Sequence, residues 1–147
     1  MKIGILKEEK LPFDKRVPLT PLQCKYVHEN FSNIKIVVRS CNERCFSNEN
    51  YIDNGIEVVE CLDDCDVLLG IKEILKVNII PKKTYLFFSH TIKKQEYNKA
   101  LLKEMLIQKV KLIDYEVLKY NNGKRILGFG RYAGIVGAYN AFRTYGL

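Results

Sequence analysis

The sequence predicts an α/β domain in three layers, built on a mostly parallel sheet that is Rossmann-like or flavodoxin-like. The first observation is that short apolar and β-branched runs alternate along the chain with segments that have helical features. The second is that the runs 66–71 and 84–89 are almost wholly apolar, as strands covered on both faces are. Because 147 residues suffice for one hydrophobic core, we expect a single domain over 1–147.

The first half of the chain provides four predicted strands and one predicted helix. Residues 2–7 form the first strand and lead into a loop that two prolines keep extended. Thr20 and Pro21 then supply an N-cap and a first helical residue, which predicts a helix from Pro21 to about Glu29. The other strands in this half are predicted at 34–39, 56–59 and 66–71.

The second half begins with the predicted strand 84–89. Between Gln95 and Lys109, apolar residues recur at helical spacing with lysines and glutamates between them, which predicts an amphipathic helix. Residues 111–118 return to a strand pattern, and an Asn-Asn-Gly turn then predicts a hairpin with the short run at 125–127. The last predicted element is a helix over 133–145.

The net charge of +7, from 24 basic and 17 acidic residues, favours anionic ligands. The basic residues form no block, since the densest runs, Lys82-Lys83 and Lys93-Lys94, each lie beside apolar residues. A solvated face is therefore favoured over a nucleic-acid-binding stripe, and we expect no nucleic-acid partner. We expect no membrane segment either, because no apolar run approaches the roughly twenty residues that a membrane helix needs.

The five cysteines include two C-x-x-x-C pairs. This spacing differs from the C-x-x-C of zinc knuckles and of thioredoxin-like redox turns, so we expect no metal site. The odd cysteine count, together with a start that is charged too early for a secretory signal, leads us to expect reduced thiols and a cytoplasmic location.

The glycine-rich segment 128–134 differs from a phosphate-binding loop. Its spacing is G-x-G-x-x-x-G, and it follows a predicted hairpin rather than the first strand of a βαβ unit. We interpret Gly134 and Gly137 as positions where a helix packs closely against a neighbour. We therefore expect this chain by itself to bind no dinucleotide.

Polar residues at the carboxyl ends of the predicted strands form the candidate site, because open α/β sheets bind ligands at that edge. A histidine or a partly buried lysine there can exchange protons with a substrate, and an arginine can hold a carboxylate in bidentate fashion. Each of these residues can instead be a solvated or structural side chain. The candidates are Arg16, Lys72, Glu73, His90 and Glu116. The other histidine, His28, is expected to be a surface imidazole near a helix end.

Several of these motifs resemble one family. Residues 2–8 (KIGILKE) and 16–21 (RVPLTP) resemble the opening of alanine dehydrogenases, transhydrogenase subunits and lysine-forming saccharopine dehydrogenases. Residues 70–73 (GIKE) resemble the family's K-E motif, and 87–91 (FFSHT) resemble the strand that ends in its active-site histidine. The remaining motifs, 114–116 and 128–134, are more similar to the saccharopine branch.

The resemblance implies an NAD- or NADP-dependent oxidoreductase that acts on an amino-acid carbon bearing nitrogen, with an imine formed or hydrolysed. Arg16 would bind a substrate carboxylate, Lys72 would be a proton acceptor or a carboxylate partner, and His90 would act as acid and base. Glu73 and Glu116 would tune the pKa values of these groups. This chain would be the N-terminal, substrate-binding domain, with the interdomain helix region beginning at about residue 128. Its partners would be an amino-acid or oxo-acid substrate and the missing dinucleotide-binding domain, and a homo-oligomer is allowed.

Three alternatives stay open. Alanine dehydrogenase is the close rival to the saccharopine branch, and Arg131 has no counterpart that we can place in the saccharopine pattern. A non-catalytic regulatory or interaction module would leave Arg16, Lys72 and His90 on different faces of the domain. A nucleic-acid binder is third, and its affinity would fall steeply with salt. In every case we expect the chain alone to be inactive.

Overall fold

The computed structural model describes residues 1–146 and divides the chain into two compact units, Met1–Asp114 and Tyr115–Leu147. The first unit contains the whole sheet. The second contains a short turn region and the last helix. The expectation of a single domain over 1–147 stays a prediction.

The first unit is built on a six-stranded sheet in the order β3-β2-β1-β4-β5-β6, with every neighbouring pair parallel. The predicted class, α/β with a parallel sheet, is confirmed. The order reverses between β1 and β4. The strand that follows β1 in the chain lies on one side of this pair, and the strand that follows β4 lies on the other side. The strands are β1 Lys2–Ile5, β2 Lys35–Arg39, β3 Glu57–Val59, β4 Val67–Leu69, β5 Thr84–Phe87 and β6 Lys111–Asp114.

Three helices flank the sheet in this unit, α1 Pro21–Asn30, α2 Asn48–Ile52 and α3 Glu96–Ile107. Thr20 caps α1 as predicted, in a reciprocal pair of hydrogen bonds with Gln23. The sequence reasoning missed α2, because three asparagines made this stretch look like a loop. Ser47 begins α2 with the same kind of capping box.

Two hydrophobic clusters lie on opposite faces of the sheet, as alternating strand residues show. Ile36 and Val38 belong to the cluster that contains Cys24 of α1 and Tyr51 of α2. Val37, between them, belongs to the cluster that contains the α3 residues Leu101 and Met105. The sheet is therefore the middle of three layers, and helices cover both of its faces.

The structure corrects the prediction for His28. This side chain is half-buried, and its Nε2 accepts the Ile36 backbone N–H at 2.7 Å. The pairing of β2 with β3 begins only at Val37, so the N–H of Ile36 has no β3 partner in the ladder. His28 satisfies this buried donor and is a structural residue rather than a surface one.

In the second unit, the predicted strand 111–118 is too long, since β6 ends at Asp114 and Tyr115–Val117 forms a 3-10 turn that carries Glu116. The predicted hairpin is reduced to one antiparallel bridge between Lys119 and Arg125. The last helix, α4 Gly130–Tyr145, starts earlier than predicted. Close helix packing is predicted at its internal glycines, Gly134 and Gly137. Apart from the backbone of its own helix, a Cβ at either position would have no atom of the described residues within 4 Å.

Candidate functional site

The loops that follow β1 and β4 meet at the carboxyl edge of the sheet. The Leu6 N–H donates to the Leu69 carbonyl at 2.8 Å, so the two segments are still hydrogen-bonded one residue beyond the end of β1. Two residues further on, the Glu8 carboxylate accepts the backbone N–H groups of Ile71 and Lys72, at 2.7 and 2.8 Å. The point at which the strand order reverses is thus closed by side-chain as well as backbone contacts.

Arg16 lies in the loop after β1, and its guanidinium is held by Asp14. Nε donates to Oδ1 at 2.8 Å and Nη2 to Oδ2 at 2.5 Å. The Arg16 guanidinium is the main cause that holds the pKa of Asp14 below its usual value, and the nearby Lys72 ammonium adds to this. A ligand carboxylate that uses the same edge of Arg16 must therefore displace Asp14.

Lys72 and Glu73 follow β4 and face the same loop. The half-buried Lys72 lies near the carboxylates of Asp14 and Glu73 and lowers the pKa of both. Glu73 accepts a hydrogen bond from Lys10. Burial acts to raise the pKa of Glu73, but the bonds from Lys10 and from its own backbone outweigh it, so the net shift is downward. Glu73 Oε2 is buried and has no hydrogen-bond partner among residues 1–146.

His90 leaves the neighbouring strand, β5, in a left-handed conformation with φ of 56°. Its ring stacks on Phe88 with 6.4 Å between ring centroids, and its Nδ1 lies 3.1 Å from Lys93 Nζ. The His90 carbonyl accepts a bond from Asn98 of α3 at 3.3 Å. The Asn98 bond thus holds the backbone of His90, and the contacts with Phe88 and Lys93 orient its imidazole.

Directly before His90, a buried polar pair joins β5 to β6. The Ser89 hydroxyl is fully buried and donates to Asp114 Oδ2 at 2.5 Å. Ser89 Oγ also accepts the Thr91 N–H at 3.2 Å and lies 2.8 Å from the Thr91 hydroxyl oxygen. Ser89 therefore links Thr91, on the other side of His90 in the chain, to Asp114 of β6.

The structure brings Arg16, Lys72 and His90 to one edge of the sheet in the first unit. Arg16 and Lys72 share Asp14 as an electrostatic neighbour. Lys72 and His90 each lie within two residues of the hydrogen bond, 3.0 Å long, that the Phe88 N–H donates to the Ile71 carbonyl. The three residues therefore do not lie on different faces, as the regulatory-module alternative required.

Glu116 lies in the second unit, where its carboxylate is buried and approaches Arg125 Nη2 at 3.6 Å. Its predicted supporting role concerns residues of the other unit. That role stays a prediction.

The region after β1 does not fit a dinucleotide, although the strand order is the one used by dinucleotide-binding domains. The loop 6–20 contains no glycine that would let a pyrophosphate approach the backbone. At the start of α1, Pro21 has no N–H to offer and the N–H of Gln23 is already bound to Thr20. The helix terminus that would hold the phosphates is thus occupied by its own cap.

Over residues 1–146, no group of three or more histidine, cysteine or acidic side chains is arranged to hold a metal ion. None of the helices in that range combines the length and the apolar character that crossing a bilayer requires.

Cavities border this edge on two sides. One of about 290 Å³ is lined by Glu8, Glu9 and Phe13 of the β1 loop, among others. Another, of about 330 Å³, lies beside Arg39 and the 74–81 loop and is lined by none of the predicted site residues. We place the site at the charged cluster rather than at the larger of these two cavities, because Arg16, Lys72 and His90 lie together at the carboxyl ends of β1, β4 and β5.

Sequence reasoning missed Glu8, Asp14 and Ser89. Glu8 stood inside the motif that carried the resemblance, but nothing in the sequence indicated that its carboxylate reaches the end of β4. The Asp-Lys-Arg spacing at 14–16 was a usable signal for a local ion pair. Ser89 was counted as part of an apolar strand, and its partner Asp114 is distant in sequence.

Fold and site together define a class: a doubly wound parallel domain with a charged candidate site at the strand-order reversal and no glycine-rich turn in the loop after β1. The family model described as alanine dehydrogenase/PNT, N-terminal domain, matches residues 4–136. The chain belongs to this family, and the resemblance found in its motifs is confirmed at that level.

Similar curated proteins include an alpha-aminoadipic semialdehyde synthase of Arabidopsis thaliana, 40% identical over 92% of this chain. The mitochondrial alpha-aminoadipic semialdehyde synthase of Bos taurus is 34% identical over 99% of the chain. A saccharopine dehydrogenase (NAD+, L-lysine-forming) of Yarrowia lipolytica is 26% identical over 95%. The chain spans only 13%, 15% and 39% of the lengths of these three relatives.

Among solved structures, an L-alanine dehydrogenase superposes with a TM-score of 0.67 at 17% identity, over 84% of this chain and 35% of its own. A transhydrogenase from Sinorhizobium meliloti gives 0.65 at 14% identity, over 80% of this chain and 36% of its own. At such identities the likeness shows the fold, which is the predicted one.

Proposed function

We propose that this chain is the substrate-side domain of an NAD(P)-dependent amino-acid oxidoreductase that acts on a carbon bearing nitrogen. The observation that carries the proposal is that Arg16, Lys72 and His90 converge on the carboxyl edge of β1, β4 and β5. This edge of an open α/β sheet is where ligands bind. The names of the curated relatives, a semialdehyde synthase and saccharopine dehydrogenases, support the same class of reaction.

The residues of this chain would bind the substrate and move protons. Arg16 would hold a substrate carboxylate in exchange for Asp14, whose bidentate geometry shows that a carboxylate fits the guanidinium. Lys72 and His90 would take and return protons as an imine is formed or hydrolysed. The nicotinamide would supply the hydride from a separate domain, because the loop after β1 does not fit it.

Within this class we propose a saccharopine-like, lysine-forming reaction, with alanine dehydrogenase as the rival. Several cationic side chains at the edge, Lys10, Arg16 and Lys72, suit a substrate with more than one carboxylate. Calorimetric titration of the chain with saccharopine, lysine, 2-oxoglutarate, alanine and pyruvate separates the two. We expect saccharopine to bind most tightly, and tighter binding of alanine or pyruvate would refute the finer proposal.

The proton-transfer roles require a version of the protein that includes a dinucleotide-binding domain. In it, His90→Gln and Lys72→Met should each lower kcat by at least about a hundredfold, the usual contribution of a general acid or base. Lys99→Met, on the exposed side of α3, is the matched control and should leave kcat unchanged. Near-normal turnover of either site variant would contradict the assigned role.

A reducing, cytoplasmic setting remains part of the proposal. Its support is that all five cysteines are free thiols. Mass spectrometry of the protein taken from its native cells under acid quench tests it, and a disulfide in that material would overturn it.

A further inference from the structure

Glu8 is a half-buried carboxylate that connects the two loops of the candidate site. It follows β1, and it binds the backbone at the point where the chain leaves β4. We propose that Glu8 is a positioning residue that sets the direction of Lys72, an inference that rests on the proposed function of the site. It would not touch the substrate.

The contacts of Glu8 are specific to the segment that ends in Lys72. Oε1 accepts the Ile71 N–H at 2.7 Å and Oε2 accepts the Lys72 N–H at 2.8 Å, so both carboxylate oxygens are used on successive amides. Two amides bound by one planar carboxylate fix the peptide plane between them, because the two bonds cannot rotate independently. The backbone from which the Lys72 side chain departs is therefore held from the β1 side.

The neighbouring glycine leaves the room that this arrangement requires. A Cβ on Gly70 would lie 3.2 Å from the Leu6 side chain and 3.5 Å from Glu8 Oε1. The Ile71 side chain is only 4% exposed, so the segment has little freedom to move away. Glu8 thus contacts the end of β4 closely and in one geometry.

The charges around Glu8 belong to the same site. Burial is the main cause that raises the pKa of Glu8, and the hydrogen bonds from Ile71 and Lys72 oppose it. Asp14 raises this pKa further and Arg16 lowers it, so both members of the Arg16 ion pair lie within electrostatic range of Glu8. A change of charge at Glu8 therefore alters the electrostatic environment of Arg16 as well as the backbone contact of Lys72.

Glu9 provides a matched control from the adjacent position. Its side chain is 7% exposed, and it accepts two bonds from Asn78 Nδ2, each 2.9 Å long, and a longer one from Arg39. It is the same residue type in the same loop and is as well bound, but none of these partners belongs to the candidate site. Loss of Glu9 should cost stability without moving Lys72.

The test compares Glu8→Gln with Glu9→Gln in the 147-residue chain by ¹H–¹⁵N spectroscopy and by titration with saccharopine. Glutamine offers one acceptor oxygen, and its amide group would face one of the two N–H donors. In Glu8→Gln we expect the Ile71 and Lys72 amide signals to move upfield and the affinity to fall about tenfold, the effect of losing one charged hydrogen bond between a displaced Lys72 and the substrate. In Glu9→Gln, both amide signals and the affinity should stay unchanged.

Unchanged amide signals in Glu8→Gln, or shifted signals with unchanged affinity, would overturn the inference. If the unaltered chain does not bind saccharopine, the proposed substrate is wrong, and the inference is then judged on the Lys72 Cε signal, which should move in Glu8→Gln alone. If Glu8→Gln does not fold, a pH titration of the unaltered chain decides. The Ile71 and Lys72 amide signals should then follow one ionisation at a pH above the ordinary pKa of glutamate, and their failure to do so would refute the contact.

Discussion

Replacing Ser89 with alanine should destabilise the first unit and loosen the segment that carries His90. The Ser89 hydroxyl donates to the buried Asp114 carboxylate at 2.5 Å and accepts the Thr91 N–H at 3.2 Å. A hydrogen bond to a charged group contributes about 1.5–3 kcal/mol, and the partly exposed Thr91 N–H adds about 0.5–1 kcal/mol. We expect a loss of about 3 kcal/mol in the free energy of unfolding.

This loss is measured by urea unfolding followed by circular dichroism. It corresponds to a fall of about 10 °C in Tm for a domain of this size. Ser32→Ala is the control, because Ser32 is exposed and a surface substitution should change the unfolding free energy by less than about 0.5 kcal/mol. If Ser89→Ala were within that range too, the Ser89–Asp114 bond would not stabilise the end of β5, and the account of how His90 is held would be refuted.

Three further predictions concern other parts of the first unit. His28→Ala should cost about 1–3 kcal/mol of unfolding free energy because the buried Ile36 N–H loses its acceptor; an unchanged urea midpoint would contradict this. Arg16 lowers the pKa of Asp14, so the pair stabilises the fold fully above the ordinary aspartate pKa and loses this effect as pH falls through the lowered value. In Asp14→Asn, the free energy of unfolding in urea should therefore fall less steeply between pH 4 and pH 2, by less than about 1 kcal/mol. Burial raises the pKa of Cys24 to about 12, and mass spectrometry should find it unmodified by a thiol reagent that labels the two exposed cysteines.

The fold was predictable because its signals are local. The apolar runs at 66–71 and 84–89 mark strands covered on both faces, and Thr20-Pro21 marks a helix start, each within a few residues. The errors are local as well. Val117 and Leu118 extend the apolar pattern of β6 past Asp114, although the chain turns there, because pattern alone does not show where a neighbouring strand ends.

The site was predictable only in part, because its residues and their partners differ in the signals they leave. His90 and Lys72 stand directly after apolar runs, so their place at the sheet edge follows from the strand prediction. The contact between Glu8 and the end of β4 spans more than sixty residues of sequence and depends on β1 and β4 being neighbours. That pairing is a property of the strand order, which no local pattern specifies.

The loop between β1 and α1 explains why the candidate site is built from side chains. In a dinucleotide-binding domain with this order, a short glycine turn after the first strand brings the phosphates to the backbone N–H groups of the first helix. Here the first turn of α1 is closed by Thr20, Pro21 and Gln23, so those N–H groups are not offered to a ligand. The longer loop instead carries Arg16 to the same edge, opposite Lys72. In the proposed site, recognition of an anion would therefore depend on charged side chains rather than on backbone N–H groups, and Asp14 and Glu8 contact the residues that would provide it.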